Sequence, residues 1–140
     1  MEIRRYRPAD FEGVQSLWEE AFPGDPPWNR AETAIPAKLA FQPELLFVAV
    51  DEDRVTGSVM AGYDGHRGWL YSVAVRQGCR RDGVGSMLVR EAERALAALG
   101  CEKVNLQVRG SNEAVTRFYA KLGYAVEERV SLGRRLSPPA

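Results

Sequence analysis

The stretch Gly68-Trp69-Leu70-Tyr71-Ser72-Val73-Ala74-Val75-Arg76-Gln77-Gly78-Cys79-Arg80-Arg81-Asp82-Gly83-Val84-Gly85 decides the fold. Residues 69–75 are rich in aromatic and β-branched types and predict a strand; Gly78 marks a turn. Val84, Leu88, Glu91/Ala92, Ala95 and Leu99 then recur near the helical period, and Gly100 supplies the stop. Strand, tight turn and helix follow in that order, and the first turn of the helix is bare backbone. Its leading N–H groups have no intrahelical acceptor and lie at the positive end of the helix dipole, so they attract a phosphate. Gly83 and Gly85 carry no Cβ, which lets the anion come close.

Two commoner glycine loops do not fit. A P-loop requires Gly-Lys-Ser/Thr where this chain has Gly85-Ser86-Met87, so no lysine reaches a terminal phosphate. A dinucleotide fingerprint requires a third glycine where Leu88 stands, and it normally follows the first strand of its unit. What remains is Arg-x-x-Gly-x-Gly at Arg80, Gly83 and Gly85. Further along lies Asn112-Glu113-Ala114-Val115-Thr116-Arg117-Phe118-Tyr119-Ala120-Lys121-Leu122-Gly123-Tyr124. The order and spacing of these two motifs, with the opening Ile3-Arg4-Arg5-Tyr6-Arg7-Pro8-Ala9-Asp10, resemble the GNAT superfamily of N-acetyltransferases over residues 1 to about 136. Many relatives have Arg-Gly-Lys/Arg-Gly in the loop, whereas this chain has Arg80-Arg81-Asp82-Gly83. Asp82 is expected to cap the helix, and Arg80 and Arg81 to offset its charge beside a diphosphate.

Composition sets the outer bounds. One hundred and forty residues suit a single domain, and Lys plus Arg equals Asp plus Glu at 19 each. The whole-chain field therefore gives no reason to expect nucleic acid or an anionic membrane as partner. The apolar run Leu45-Leu46-Phe47-Val48-Ala49-Val50 is far shorter than the ~20 residues that span a bilayer, and the charged start lacks a secretory apolar core. Two cysteines and one histidine make neither a disulfide framework nor a zinc site. A cytoplasmic, metal-free protein is expected.

Along the chain, residues 2–7 read as a strand, and Pro8-Ala9-Asp10 opens a helix lined by Phe11, Val14, Leu17, Trp18 and Ala21. A second helix is expected over residues 30–41, bent or split by Pro36. Residues 45–50 and 54–63 form a hairpin, and Asp64-Gly65-His66-Arg67-Gly68 turns into the fourth strand. The long helix over 83–99 is followed by a strand at 103–108, a short helix at 112–121 and closing strands over 124–136. Hairpins together with a crossover helix predict a mixed sheet with helices on both faces. The resemblance makes this an α/β fold with a mostly antiparallel sheet of six to seven strands, about four helices, and a splay between strands four and five. The last strands are also where a homodimer could form.

The resemblance also implies chemistry. Acetyl-CoA would lay its acyl arm in the splay, with backbone groups of Val73, Ala74 and Val75 pairing with the pantetheine amides. The diphosphate would sit on Arg80, Arg81, Asp82, Gly83, Val84, Gly85 and Ser86. Asn112 most simply caps its helix, and the likeness allows it a contact with the pantetheine arm. Tyr119 is the expected acid for the leaving thiolate, its alternative role being core packing with Val115, Phe118 and Leu122. With reference pKa values near 10 and 8.5, full proton transfer from phenol to thiolate is uphill by roughly 2 kcal/mol.

The base is open. Many relatives place a glutamate on the fourth strand, but Leu70-Tyr71-Ser72-Val73 carries none. Asp64 and His66 are the nearest titratable candidates in sequence, with a plain turn or a bound water as alternatives. Neutralising a lysine-type amine at pH 7 costs about 4.6 kcal/mol against about 1 for an α-amine, which tilts the expectation toward an α-amine acceptor. Trp18, Glu19, Glu20, Trp28 and Asn29 flank the first helix break, where relatives usually form the acceptor groove. The competing function is a non-catalytic acyl-CoA-binding or sensing module.

Overall fold

Runs of β-branched and aromatic residues bounded by turn formers place every strand of the sheet in the first three quarters of the chain. The computed structural model describes residues 1–109 and 112–137, with Arg81 described in its backbone only. It divides into a first unit, Met1–Gln107, and a second, Val108–Ala140.

The first unit carries β1 (Glu2–Arg5), α1 (Phe11–Ala21), α2 (Ala31–Ala40), β2 (Leu46–Asp51), β3 (Arg54–Tyr63), β4 (Gly68–Val75), α3 (Val84–Ala98) and β5 (Val104–Asn105). The strands form one sheet in sequential order. The β1–β2, β2–β3 and β3–β4 pairs are antiparallel, and β4–β5 is parallel. The hairpin turns on Glu52 and Asp53, both at positive φ (49° and 64°), which Asp tolerates better than most residues.

Alternation along the strands feeds the two faces. Leu46, Val48, Val55 and Ala74 pack with Val14, Leu17 and Trp18 of α1 and with Ala31 and Ile35 of α2. Burial of an aliphatic side chain of this size is worth roughly 1.5–3 kcal/mol. Gly57 faces the opposite side: a Cβ there would lie 2.7 Å from Leu88 Cδ1 and 3.1 Å from Val84 Cγ1 of α3. So α1 and α3 cover opposite faces, as expected. At the chain start, Arg4 grips the Asp10 carboxylate in a fork at 2.8 and 3.0 Å, and the Arg7 N–H donates to it at 2.8 Å, tying β1 to α1.

The second unit contains α4 (Glu113–Lys121). Its hydrophobic members group at Tyr119, whose ring meets Phe118 and Tyr124 edge-on at centroid separations of 4.9 and 5.6 Å.

Two expectations need correction. The sheet has five strands, not six to seven, because residues 124–136 form no strand among the described residues. Val126, Val130, Leu132 and Leu136 in that segment are 86–92 % exposed, and alternation of apolar residues makes no strand where no ladder hydrogen bonds form. The fifth strand spans only Val104–Asn105. Of the two outcomes expected at Pro36, the split does not occur: α2 runs through it, at the cost of one ladder bond to the Glu32 carbonyl. No described helix is long and apolar enough to cross a membrane, and no described cluster of His, Cys, Asp and Glu could hold a metal ion.

Candidate active site

β4 leads directly into the glycine loop, and it does so through a distortion. Ser58 pairs with Ala74 and Met60 with Tyr71, so Ser72 and Val73 together stand against the single residue Val59. This is a β-bulge, and Ser72 takes a left-handed φ of 50° to make it. A bulge leaves backbone groups outside the ladder. On its other edge β4 meets β5 only through Gly68↔Val104 and Trp69↔Asn105, so the described pairing stops before Val73, Ala74 and Val75.

After Val75 the chain winds through a 3₁₀ turn, Gln77–Asp82, into α3. The expected cap is not Asp82, which belongs to that turn; the cap position is Gly83, at φ 74°, with no side-chain bond to the helix. A left-handed cap favours glycine, and glycine offers no oxygen to the first N–H groups. The helical ladder starts with Met87 N–H donating to Gly83 C=O at 3.1 Å. Val84, Gly85 and Ser86 therefore present the N–H groups of the first turn ahead of that ladder. Arg80 is exposed, and its Nε folds back to donate to Val75 C=O at 3.2 Å.

The loop is braced from α1. Arg76 is buried; its Nε donates to Val55 C=O (3.0 Å), and its Nη atoms to Ser16 Oγ and Gly13 C=O (both 3.1 Å). Glu20 accepts from Gln77 N–H at 3.0 Å and lies 3.7 Å from Arg76. Nothing in the residue pattern singled out Arg76; a lone arginine at a strand end reads as surface.

In the second unit, Asn112 caps α4, its Oδ1 accepting from Val115 N–H at 3.2 Å. Tyr119 is buried, and burial pushes its phenol up to about 12. It is protonated at neutral pH and available as a donor.

The candidate bases sit at the other end of β4. Five residues, roughly 17 Å of strand, separate Gly68 from Val73. Asp64 Oδ1 accepts from the backbone N–H groups of both His66 and Arg67 at 2.7 Å, and Gly65 has φ 90°. Those bonds to Arg67 and His66 hold its carboxyl below the usual range, which weakens it as a base. Burial, then the Asp64 charge, raises the half-exposed Tyr71 phenol. Lys38, half-buried, donates to Ala61 C=O, and the desolvation lowers its pKa.

Of the groove residues, Trp18, Glu19 and Asn29 line one cavity of about 230 Å³ between α1 and α2, together with Gln15, Phe22 and Glu32. Glu20 is turned away toward Gln77, and Trp28 stands half-exposed.

A sequence model described as "Acetyltransferase (GNAT) family" matches residues 11–124. An acetyltransferase of Sodalis glossinidius is 45 % identical over 139 residues, covering 97 % of this chain and 96 % of that protein. Among solved structures, Ard1 from Thermoplasma volcanium superimposes with a TM-score of 0.81 at 24 % identity, covering 90 % of this chain and 83 % of the other. The aminoglycoside acetyltransferase AAC(6')-Iy, solved with a CoA-containing bisubstrate analogue, gives 0.77 at 20 % identity, covering 97 % and 98 %. Identity and coverage across the full length, joined to a glycine-capped helix continuous with a bulged strand, place this chain in the GNAT acetyltransferase family, as an enzyme that uses acetyl-CoA.

Proposed function

We propose that the protein transfers the acetyl group of acetyl-CoA to a primary amine, on a small molecule or a protein α-amine, by direct attack on the thioester. The observation that carries this reading is the unbroken run from the bulged β4 to the side-chain-free start of α3. Both units then serve one acetyltransferase domain, a reading supported by the family match running from residue 11 to 124.

The diphosphate is held by N–H groups within residues 80–86, Arg80 and Arg81 adding positive charge against Asp82. The short β4–β5 pairing supports a splay in which the backbone of Val73, Ala74 and Val75 takes the pantetheine amides. Asn112 has its side chain engaged as a cap, which leaves its part in holding the cofactor secondary. Tyr119 donates a hydrogen bond to the departing sulfur; its raised pKa keeps the proton in place at working pH.

For the proton lost by the amine we favour a bound water, since Asp64 is committed to its turn; His66 stays as the side chain to exclude by mutation. Water is a weak base. That favours an acceptor already partly neutral near pH 7, as an α-amine is. The cavity at Trp18, Glu19 and Asn29 is the acceptor groove in this reading.

The test is thiol release from acetyl-CoA with a panel of small amines and peptide N-termini. Turnover with an amine supports the enzyme reading. Tight acetyl-CoA binding without turnover on any amine would favour the sensing module instead.

A further inference from the structure

We infer that Ser58 and Trp18 are positioning residues that set the β4 bulge, and through it the backbone facing acetyl-CoA. This rests on the proposed reading of β4 as the pantetheine strand.

Ser72 is neither glycine nor asparagine, yet it holds φ at 50°. A left-handed L-residue of this kind costs roughly 1–2 kcal/mol and persists only where its surroundings over-determine it. Two buried groups supply that determination. Ser58 Oγ donates to the Ser72 carbonyl at 2.9 Å, and Trp18 Nε1 donates to Ser58 Oγ at 2.8 Å. Ser58 is completely buried and Trp18 nearly so.

The direction of this chain is fixed by chemistry. An indole N–H can only donate, so the hydroxyl accepts there and must spend its single proton on the Ser72 carbonyl. No other arrangement satisfies all three groups. Because the chain has no cis peptide bond among the described residues, the Val73 N–H points opposite to the Ser72 C=O. With that carbonyl tied toward Ser58 on β3, the Val73 N–H is turned away from β3, toward the edge on which the described β5 pairing ends at Trp69.

Helix α1 thus holds this stretch at both ends: Trp18 acts on the bulge through Ser58, while Gly13, Ser16 and Glu20 fix Arg76 and Gln77. Loss of the Ser58 hydroxyl would strand a buried indole donor and take the hydroxyl partner from the part-buried Ser72 carbonyl.

The experiment compares wild type, Ser58→Ala and the milder Trp18→Phe, which keeps the Ser58–Ser72 bond. Backbone amide exchange over residues 71–76 is read beside acetyl-CoA affinity by calorimetry. Ser58→Ala is expected to speed exchange at Ser72 and Val73 at least about fivefold, with Leu88 and Val89 unchanged, and to weaken acetyl-CoA about five- to tenfold. Trp18→Phe should show the same pattern at smaller amplitude. If Ser58→Ala does not fold, Trp18→Phe alone decides. Unchanged exchange at Ser72 and Val73 overturns the inference. Faster exchange with unchanged affinity also overturns the link to acetyl-CoA, and it locates the failure in the reading of β4 as the cofactor strand.

Discussion

Replacing Tyr119 by Phe removes one oxygen and leaves the ring. The edge-on contacts to Phe118 and Tyr124, at 4.9 and 5.6 Å, involve the ring and survive, so the variant should keep its fold. The catalytic effect follows from the phenol pKa of about 12. Against a thiol near 8.5 the gap is about 3.5 units, or roughly 4.8 kcal/mol at 1.36 per unit. Full transfer is thus more uphill than reference values imply, and Tyr119 contributes a hydrogen bond to the charge building on sulfur. Such a bond to an ionised partner is worth about 1.5–3 kcal/mol, a ten- to 150-fold loss of kcat in Tyr119→Phe, with the KM for acetyl-CoA little changed. A phenol protonated up to about pH 12 adds no falling limb to the rate between pH 7 and 10. Thiol release across that range measures both. A variant within about twofold of wild-type kcat would refute the acid role and return Tyr119 to packing.

Two further outcomes test how the fold supports the site. Gly57→Ala drives a methyl to 2.7 Å from Leu88 Cδ1 and 3.0 Å from the Ala74 carbonyl, so about 1–3 kcal/mol of stability should be lost, with Tm down by several degrees in calorimetry; no shift would mean that β3 and α3 are less closely apposed than described. Burial raises the Asp10 carboxyl, but the Arg4 guanidinium and the Arg7 N–H outweigh it and leave the pKa lowered. That contribution is present above the unfolded carboxylate pKa near 3.9 and is lost as pH falls through the folded value. Asp10→Asn should therefore cost roughly 1–2 kcal/mol at pH 7, the difference shrinking below about pH 4 in denaturant titrations; a pH-independent difference would exclude the charge as its source.

Local signals carried much of this. The glycine at the start of α3, the asparagine that caps α4, the stop at Gly100 and the apolar stripe of α1 each depend on neighbours within a turn of chain, and these are visible in sequence. Asp82 misled because aspartate is a good cap in general, while here the 3₁₀ turn carries it past the cap position and a left-handed glycine takes over. The closing strands misled because alternation at Val130 and Leu132 says nothing about whether an edge is there to pair with. The bulge at Ser72 was unreadable for a related reason. Its determinants, Ser58 and Trp18, lie 14 and 54 positions away in the chain and act through two hydrogen bonds. Arg76, with partners on α1 and β3, is hidden in the same way.

The central claim is that exposed main-chain N–H groups at the loop and the first turn of α3 hold the diphosphate of coenzyme A. A crystal structure of the protein soaked with coenzyme A measures this directly. Diphosphate oxygens are expected within hydrogen-bond distance of amides among Gly83, Val84, Gly85 and Ser86, with the pantetheine arm alongside Val73–Val75. A fully occupied coenzyme A whose diphosphate lies on another surface would contradict it.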